Sequence, residues 1–122
     1  MPVTRGPDGR PVYYVLDGKA AVPASFDRWS MLLNSTERIV AQESVAGIWV
    51  STVFIGLDYG FGEGPPLIFE TAVQDDYDWQ GQWRYSTWEE AEAGHRAVVE
   101  HIKAEAIRIG AASIAGGTNA EQ

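Results

Sequence analysis

Hydrophobic residues recur most regularly between Thr87 and Gly110. Trp88, Ala91, Val98, Ile102, Ala106 and Ile109 follow one another at helical spacings, with His95 inside the same stripe. This is the pattern of a helix with one apolar face. Thr87-Trp88-Glu89-Glu90 opens it as a capping box, and Gly110 reads as its C′ residue. Glu89, Glu92, Arg96, Glu100 and Lys103 fall away from the stripe, Glu92 and Arg96 one turn apart. A shorter helical pattern, Phe26, Trp29, Leu32 and Leu33, follows Ser25 as N-cap and predicts a helix to Asn34.

The rest of the chain alternates or runs β-branched and aromatic. Val12–Leu16 and Lys19–Val22 flank Asp17-Gly18, which predicts a type I′ hairpin. Pro7-Asp8-Gly9 predicts an earlier turn. Arg38–Glu43 and Ile48–Leu57 read as strands joined around Ser44–Gly47; the second is apolar on both faces and reads as central. Leu67–Gln74 and Gln82–Ser86 pair best with Val73 opposite Trp83 and Thr71 opposite Tyr85, leaving Glu70 diagonal to Arg84. The expected fold class is α+β: a mostly antiparallel sheet of four to six strands packed against one long C-terminal helix and one short helix. Residues 1–110 form a single domain in this reading, and 111–122 a flexible C-terminal tail.

Composition narrows the function. At 122 residues with 45% hydrophobic content, one domain with a real core is expected. No apolar run reaches the roughly 20 residues of a membrane helix, and the opening residues do not read as a signal peptide. The absence of cysteine excludes disulfides, thiolate metal sites and a cysteine nucleophile. The net charge of −8 argues against direct binding to nucleic acid or an anionic membrane. That charge is local. Between Asp58 and Glu92 stand nine acids and one base, Arg84; the eight acids and eight bases elsewhere cancel.

The motifs that suggest chemistry mostly dissolve on inspection. Gly60-Phe61-Gly62-Glu63-Gly64 lacks the Lys-Ser/Thr of a phosphate loop and is flanked by acids, so it reads as a long inter-strand loop. Asp76-Tyr77-Asp78-Trp79-Gln80-Gly81 begins like a calcium loop, but Thr87 stands where a bidentate glutamate belongs; it reads as a hairpin turn. No metal and no cofactor is expected. His95 reads as a packed, hydrogen-bonded core histidine, with His101 near the edge of the stripe. The alternative reading, a small enzyme using His95 or His101 with nearby carboxylates, requires a pocket in which His95 is accessible.

What remains is an acidic row with aromatic company. Glu89, Glu90 and Glu92 complement the helix dipole and Glu70 has Arg84, whereas Asp58, Glu63, Asp75, Asp76 and Asp78 have no such explanation. Tyr59 and Phe61 in one loop, and Tyr77 and Trp79 in the other, stand beside them. An exposed tryptophan among acids is suited to anchoring a basic partner. Asp58, Tyr59, Phe61, Glu63, Asp75, Asp76, Tyr77, Asp78 and Trp79 are therefore the candidate binding residues. Trp29, Trp83 and Trp88 read as core, and Trp49 lies on the central strand.

Three segments also carry a resemblance. They are Gly47–Asp58 (GIWVSTVFIGLD), Gly64–Thr71 (GPPLIFET) and Arg84–His95 (RYSTWEEAEAGH). Together they resemble a family of small, uncharacterised proteins encoded by bacteriophages and prophages, over about Val12 to Ile102. The family carries no established activity to transfer. A histidine often follows its Gly-Leu-Asp segment, where this chain has Tyr59. The resemblance implies an accessory protein acting in the bacterial host cytoplasm, with a virion structural or assembly component as an alternative. The sequence thus points to a non-enzymatic acidic protein that engages a basic surface of a protein partner. In that setting the partner class includes a host nuclease or defence system such as CRISPR–Cas. Homo-oligomerisation is left open.

Overall fold

The computed structural model describes residues 2–58, 64–75 and 79–120, without the side chains of residues 79, 80 and 111–120. Its elements are β1 (Tyr13–Asp17), β2 (Ala20–Ala24), α1 (Phe26–Leu32), β3 (Ile39–Val45), β4 (Ile48–Phe54), β5 (Phe69–Gln74), β6 (Trp79–Tyr85) and α2 (Trp88–Ala120), with a 3₁₀ turn at Thr36–Arg38. The strands form a two-stranded sheet, β1-β2, and a four-stranded antiparallel sheet in the order β3-β4-β5-β6. The fold is α+β, with a long C-terminal helix across one face of the larger sheet.

Local chemistry sets the boundaries. The capping box forms as read: the Glu90 amide donates to Thr87 Oγ1 at 3.1 Å, and the Thr87 amide donates to Glu90 Oε1 at 3.2 Å. Ser25 caps α1 by accepting from the Arg28 amide. The β1-β2 turn falls one residue later than expected. Asp17 pairs with Ala20, so Gly18 and Lys19 are the turn residues. Gly18 has φ 64° and Lys19 is not among the positive-φ residues. That matches a type II′ turn with glycine first rather than type I′. The β3-β4 turn is the type I′ one, and it puts a non-glycine, Ala46, at φ 52° before Gly47 at 80°. At the far end, Gly110 lacks positive φ and α2 runs on to Ala120. Ala111, Ala112 and Ala115 are strong helix formers and carry the backbone past the expected stop.

Strand β4 is paired on both sides, as its composition implies. Its alternation divides the sheet. Val50, Thr52 and Phe54 are buried toward α2, while Trp49 on the opposite face is 41% exposed. The β5-β6 register differs from the expected one by two residues: Val73 lies opposite Gly81, Thr71 opposite Trp83 and Phe69 opposite Tyr85, with a bulge at Val73/Gln74. A slip of two keeps every side chain on its expected face. It also sets Glu70 directly opposite Arg84, whose Nε donates to the carboxylate at 3.0 Å.

Two apolar clusters lie under α2. One joins Tyr14, Phe54, Ile68, Phe69 and Ala91, with Trp88 packed against it; the Phe54 and Phe69 rings meet edge to face at 5.0 Å. The other joins Val45, Val50, Val73, Val99 and Ile102. The β1-β2 hairpin closes the first cluster, held where the Tyr14 amide donates to the Gly56 carbonyl at 2.7 Å. The Tyr85 ring lies against the α2 backbone at Gly94, where a Cβ would run into it.

Candidate functional site

A helix of 33 residues is about 50 Å long, whereas a seven-residue strand spans roughly 23 Å. The second half of α2 therefore overhangs the sheet. Between the overhang and the sheet end lies an open groove of about 1190 Å³. Val98, Ile102, Ala106 and Ile109 line it from the helix, and Ile48, Val73 and Trp83 from the strands, with Ala46 at the β3-β4 turn. Trp83 and Ile109 remain 46% and 57% exposed. The apolar stripe of α2 is thus shared: Ala91 and His95 turn into the fold, Ile102 is buried but also borders the groove, and Val98, Ala106 and Ile109 face it.

Trp83 departs from the sequence expectation of a core residue. It sits on the helix-facing side of β6, but β6 is an edge strand, and α2 holds Tyr85 through Gly94 without reaching over Trp83. The indole instead folds back along its own strand over Gly81, where a Cβ would meet the ring at 2.9 Å. Its outer face is open.

The groove is charged at its margins. Asp75, Glu105 and His101 line it, with no lysine or arginine among the described lining residues. Glu105 accepts from Arg108 Nη2 at 2.7 Å; this hydrogen bond and the guanidinium charge hold its carboxyl below the usual range.

The residues proposed from sequence separate here. Asp75 is at the groove. Asp58 is turned inward: its carboxylate accepts from Arg10 Nη2 at 3.2 Å and its side chain is 8% exposed. The same Arg10 nitrogen donates to the Gly64 carbonyl, so Arg10 ties Asp58 to Gly64. Asp58 has a structural task that sequence spacing did not reveal, and its side chain adds nothing to an outward acidic row. Trp79 lies on β6. Tyr59, Phe61, Glu63, Asp76, Tyr77 and Asp78 lie outside the described residues, and with the last three the first half of the calcium-like segment; its second half, Trp79-Gln80-Gly81, belongs to β6. Among the described residues, no group of three or more His, Asp or Glu side chains could hold a metal ion, and no helix is long and apolar enough to cross a membrane.

His95 belongs to a different assembly. It is 3% exposed, and Nε2 lies 2.7 Å from Glu43 Oε2 while Nδ1 lies 2.7 Å from Thr52 Oγ1. Thr52 Oγ1 lies 2.6 Å from Thr71 Oγ1, directly across the β4-β5 ladder, and both threonines are fully buried. A carboxylate only accepts, so Nε2 carries the hydrogen. In the neutral ring Nδ1 then accepts from Thr52, whose oxygen accepts from Thr71. The order Glu43–His95–Thr52–Thr71 mimics a nucleophile relay, but neither hydroxyl can meet a substrate. His95 is thus packed and hydrogen-bonded, as its place in the stripe implies, and offers no accessible base. Sequence reading missed Glu43, Thr52 and Thr71. The available signal was a threonine in each strand at the alternation positions that otherwise hold Val and Phe.

Compared with protein families, curated proteins and solved structures, the chain matches none.

Proposed function

We propose that the protein is a non-enzymatic binding protein whose groove and acidic margin engage a basic, partly apolar surface of a protein partner. One observation carries the reading: a wide apolar groove between α2 and the sheet, with half-exposed Trp83 and Ile109 on its walls and two acids but no lysine or arginine among its described lining residues. Exposed apolar patches bounded by polar groups mark interaction sites, and a partly exposed tryptophan is the side chain best able to anchor one. The acidic segment supports the same direction, since Asp75 stands at the groove and Asp76 and Asp78 follow it in the chain. The motif resemblance to phage-encoded proteins adds context: an accessory protein in a bacterial host, acting on a nuclease or defence complex with a basic face. The test is capture from bacterial lysate with the wild-type chain and an Asp75→Lys/Trp83→Ala variant. A specific partner should be held at low salt, released at high salt and not held by the folded variant. Equal capture by both chains would exclude the groove as the binding surface.

A further inference from the structure

Resting on that reading of the groove, we infer that its occupant is an amphipathic α-helix of the partner, apolar on one face and carrying lysine or arginine along its flanks. The volume of about 1190 Å³ exceeds the ~300–1,000 Å³ usual for small-molecule pockets. The helical wall from Gly94 to Gly110 offers about 24 Å of length, room for some four turns of a second helix.

The wall chemistry selects a helix over an extended segment. Most lining groups are Ala, Ile, Val and Trp side chains, and the described polar ones sit at Asp75, Tyr85, His101 and Glu105. An extended peptide laid there would bury amide and carbonyl groups with few partners, each costing about 1–3 kcal/mol. A helix satisfies its backbone internally and presents only side chains. Apolar residues at i, i+3, i+4 and i+7 would fill the channel between Trp83 and Ile109.

Charge selects a basic flank and disfavours a second copy of this chain. Asp75 on the sheet wall and Glu105 on the helix wall stand on opposite sides of the apolar floor, and the described lining includes no lysine or arginine. Glu105 shares its charge with Arg108. Two copies at −8 each repel.

The test uses blocked, fluorescein-labelled leucine–lysine peptides of about 17 residues, the length of the wall. One has amphipathic spacing, a second the same residues in scrambled order, a third glutamate for lysine, and a fourth two central prolines. Fluorescence anisotropy should show the amphipathic basic peptide binding about tenfold more tightly than any of the other three. Its helical circular dichroism should rise on binding. Trp83→Ala and Ile109→Glu, both at exposed positions and checked for an unchanged fold, should each weaken it about tenfold. Equal binding of the scrambled peptide would overturn the inference, because charge alone then suffices. Proline-peptide binding that is lost in Trp83→Ala would overturn the helix while leaving the groove as a binding surface. Dimerisation abolished by Trp83→Ala would assign the groove to a second copy instead. Binding of every peptide unaffected by Trp83→Ala and Ile109→Glu would overturn both readings.

Discussion

A single buried histidine with both ring nitrogens occupied joins three elements of this protein. Glu43 on β3, Thr52 on β4 and His95 on α2 meet in one chain of hydrogen bonds that ends on Thr71 of β5. Removing the Thr52 hydroxyl leaves His95 Nδ1 and the Thr71 hydroxyl buried without this partner. Thr52→Val should therefore cost about 1–3 kcal/mol in urea unfolding. The Thr52→Val/Thr71→Val pair should cost less than the sum of the single changes, since it removes both hydroxyls together; strict additivity would show that the two do not interact. Tyr14 gives a second residue-scale prediction. Burial raises its phenol above the ordinary value of 10.0, and the nearby Asp58 carboxylate adds to this, against Arg10 and Arg5. A raised value means the folded chain keeps the proton after the unfolded chain has lost it. Stability is then fully present below pH 10.0 and falls as pH rises beyond it. Tyr14→Phe should flatten that alkaline limb in thermal unfolding followed from pH 9 to pH 11; an unchanged slope would assign the loss to other groups.

Among the elements, turns and close approaches explain where sequence reading fell short. A hairpin was legible in Asp17-Gly18 and a connection around Ser44–Gly47, but the phase of each turn depended on which residues paired across the strands. Ala46 is the cost of that phase. Its left-handed backbone disfavours any Cβ, so Ala46→Asn should raise stability by about 1 kcal/mol, read as a higher urea midpoint. The β5-β6 register escaped in the same way: alternation fixes the face, and a shift of two residues leaves alternation untouched. Gly94 is the helix–sheet counterpart. Alanine would improve helix propensity by about 1 kcal/mol, but its methyl would enter the Tyr85 ring. Overpacking of about 1–3 kcal/mol outweighs the gain. Gly94→Ala should therefore destabilise, and should stabilise instead in a Tyr85→Ala background; a gain with Tyr85 present would deny the close approach.

At the scale of the whole molecule, a helix longer than its sheet decides what is exposed. Ala91, His95 and Val99 are buried against the fold, Ile102 is buried and also lines the groove, and Val98, Ala106 and Ile109 line it further. Binding there should weaken as ionic strength rises, because exposed charges act over only about 8–10 Å in physiological salt. Titrating the basic peptide at increasing salt tests this, and an affinity indifferent to salt would remove charge from recognition. The amino-acid order alone determined the α+β class, the capping box at Thr87, the amphipathic face of α2, the central place of β4 and the position of the charge imbalance. Each follows from local propensity, alternation or composition. Only the tertiary structure decided that Asp58 is locked to Arg10, that Trp83 stays open, and that Thr52, Thr71 and Glu43 share His95. Those outcomes depend on which residues distant in sequence meet, and on where a 33-residue helix runs out of sheet to cover it. Neither is encoded in the spacing of any one segment.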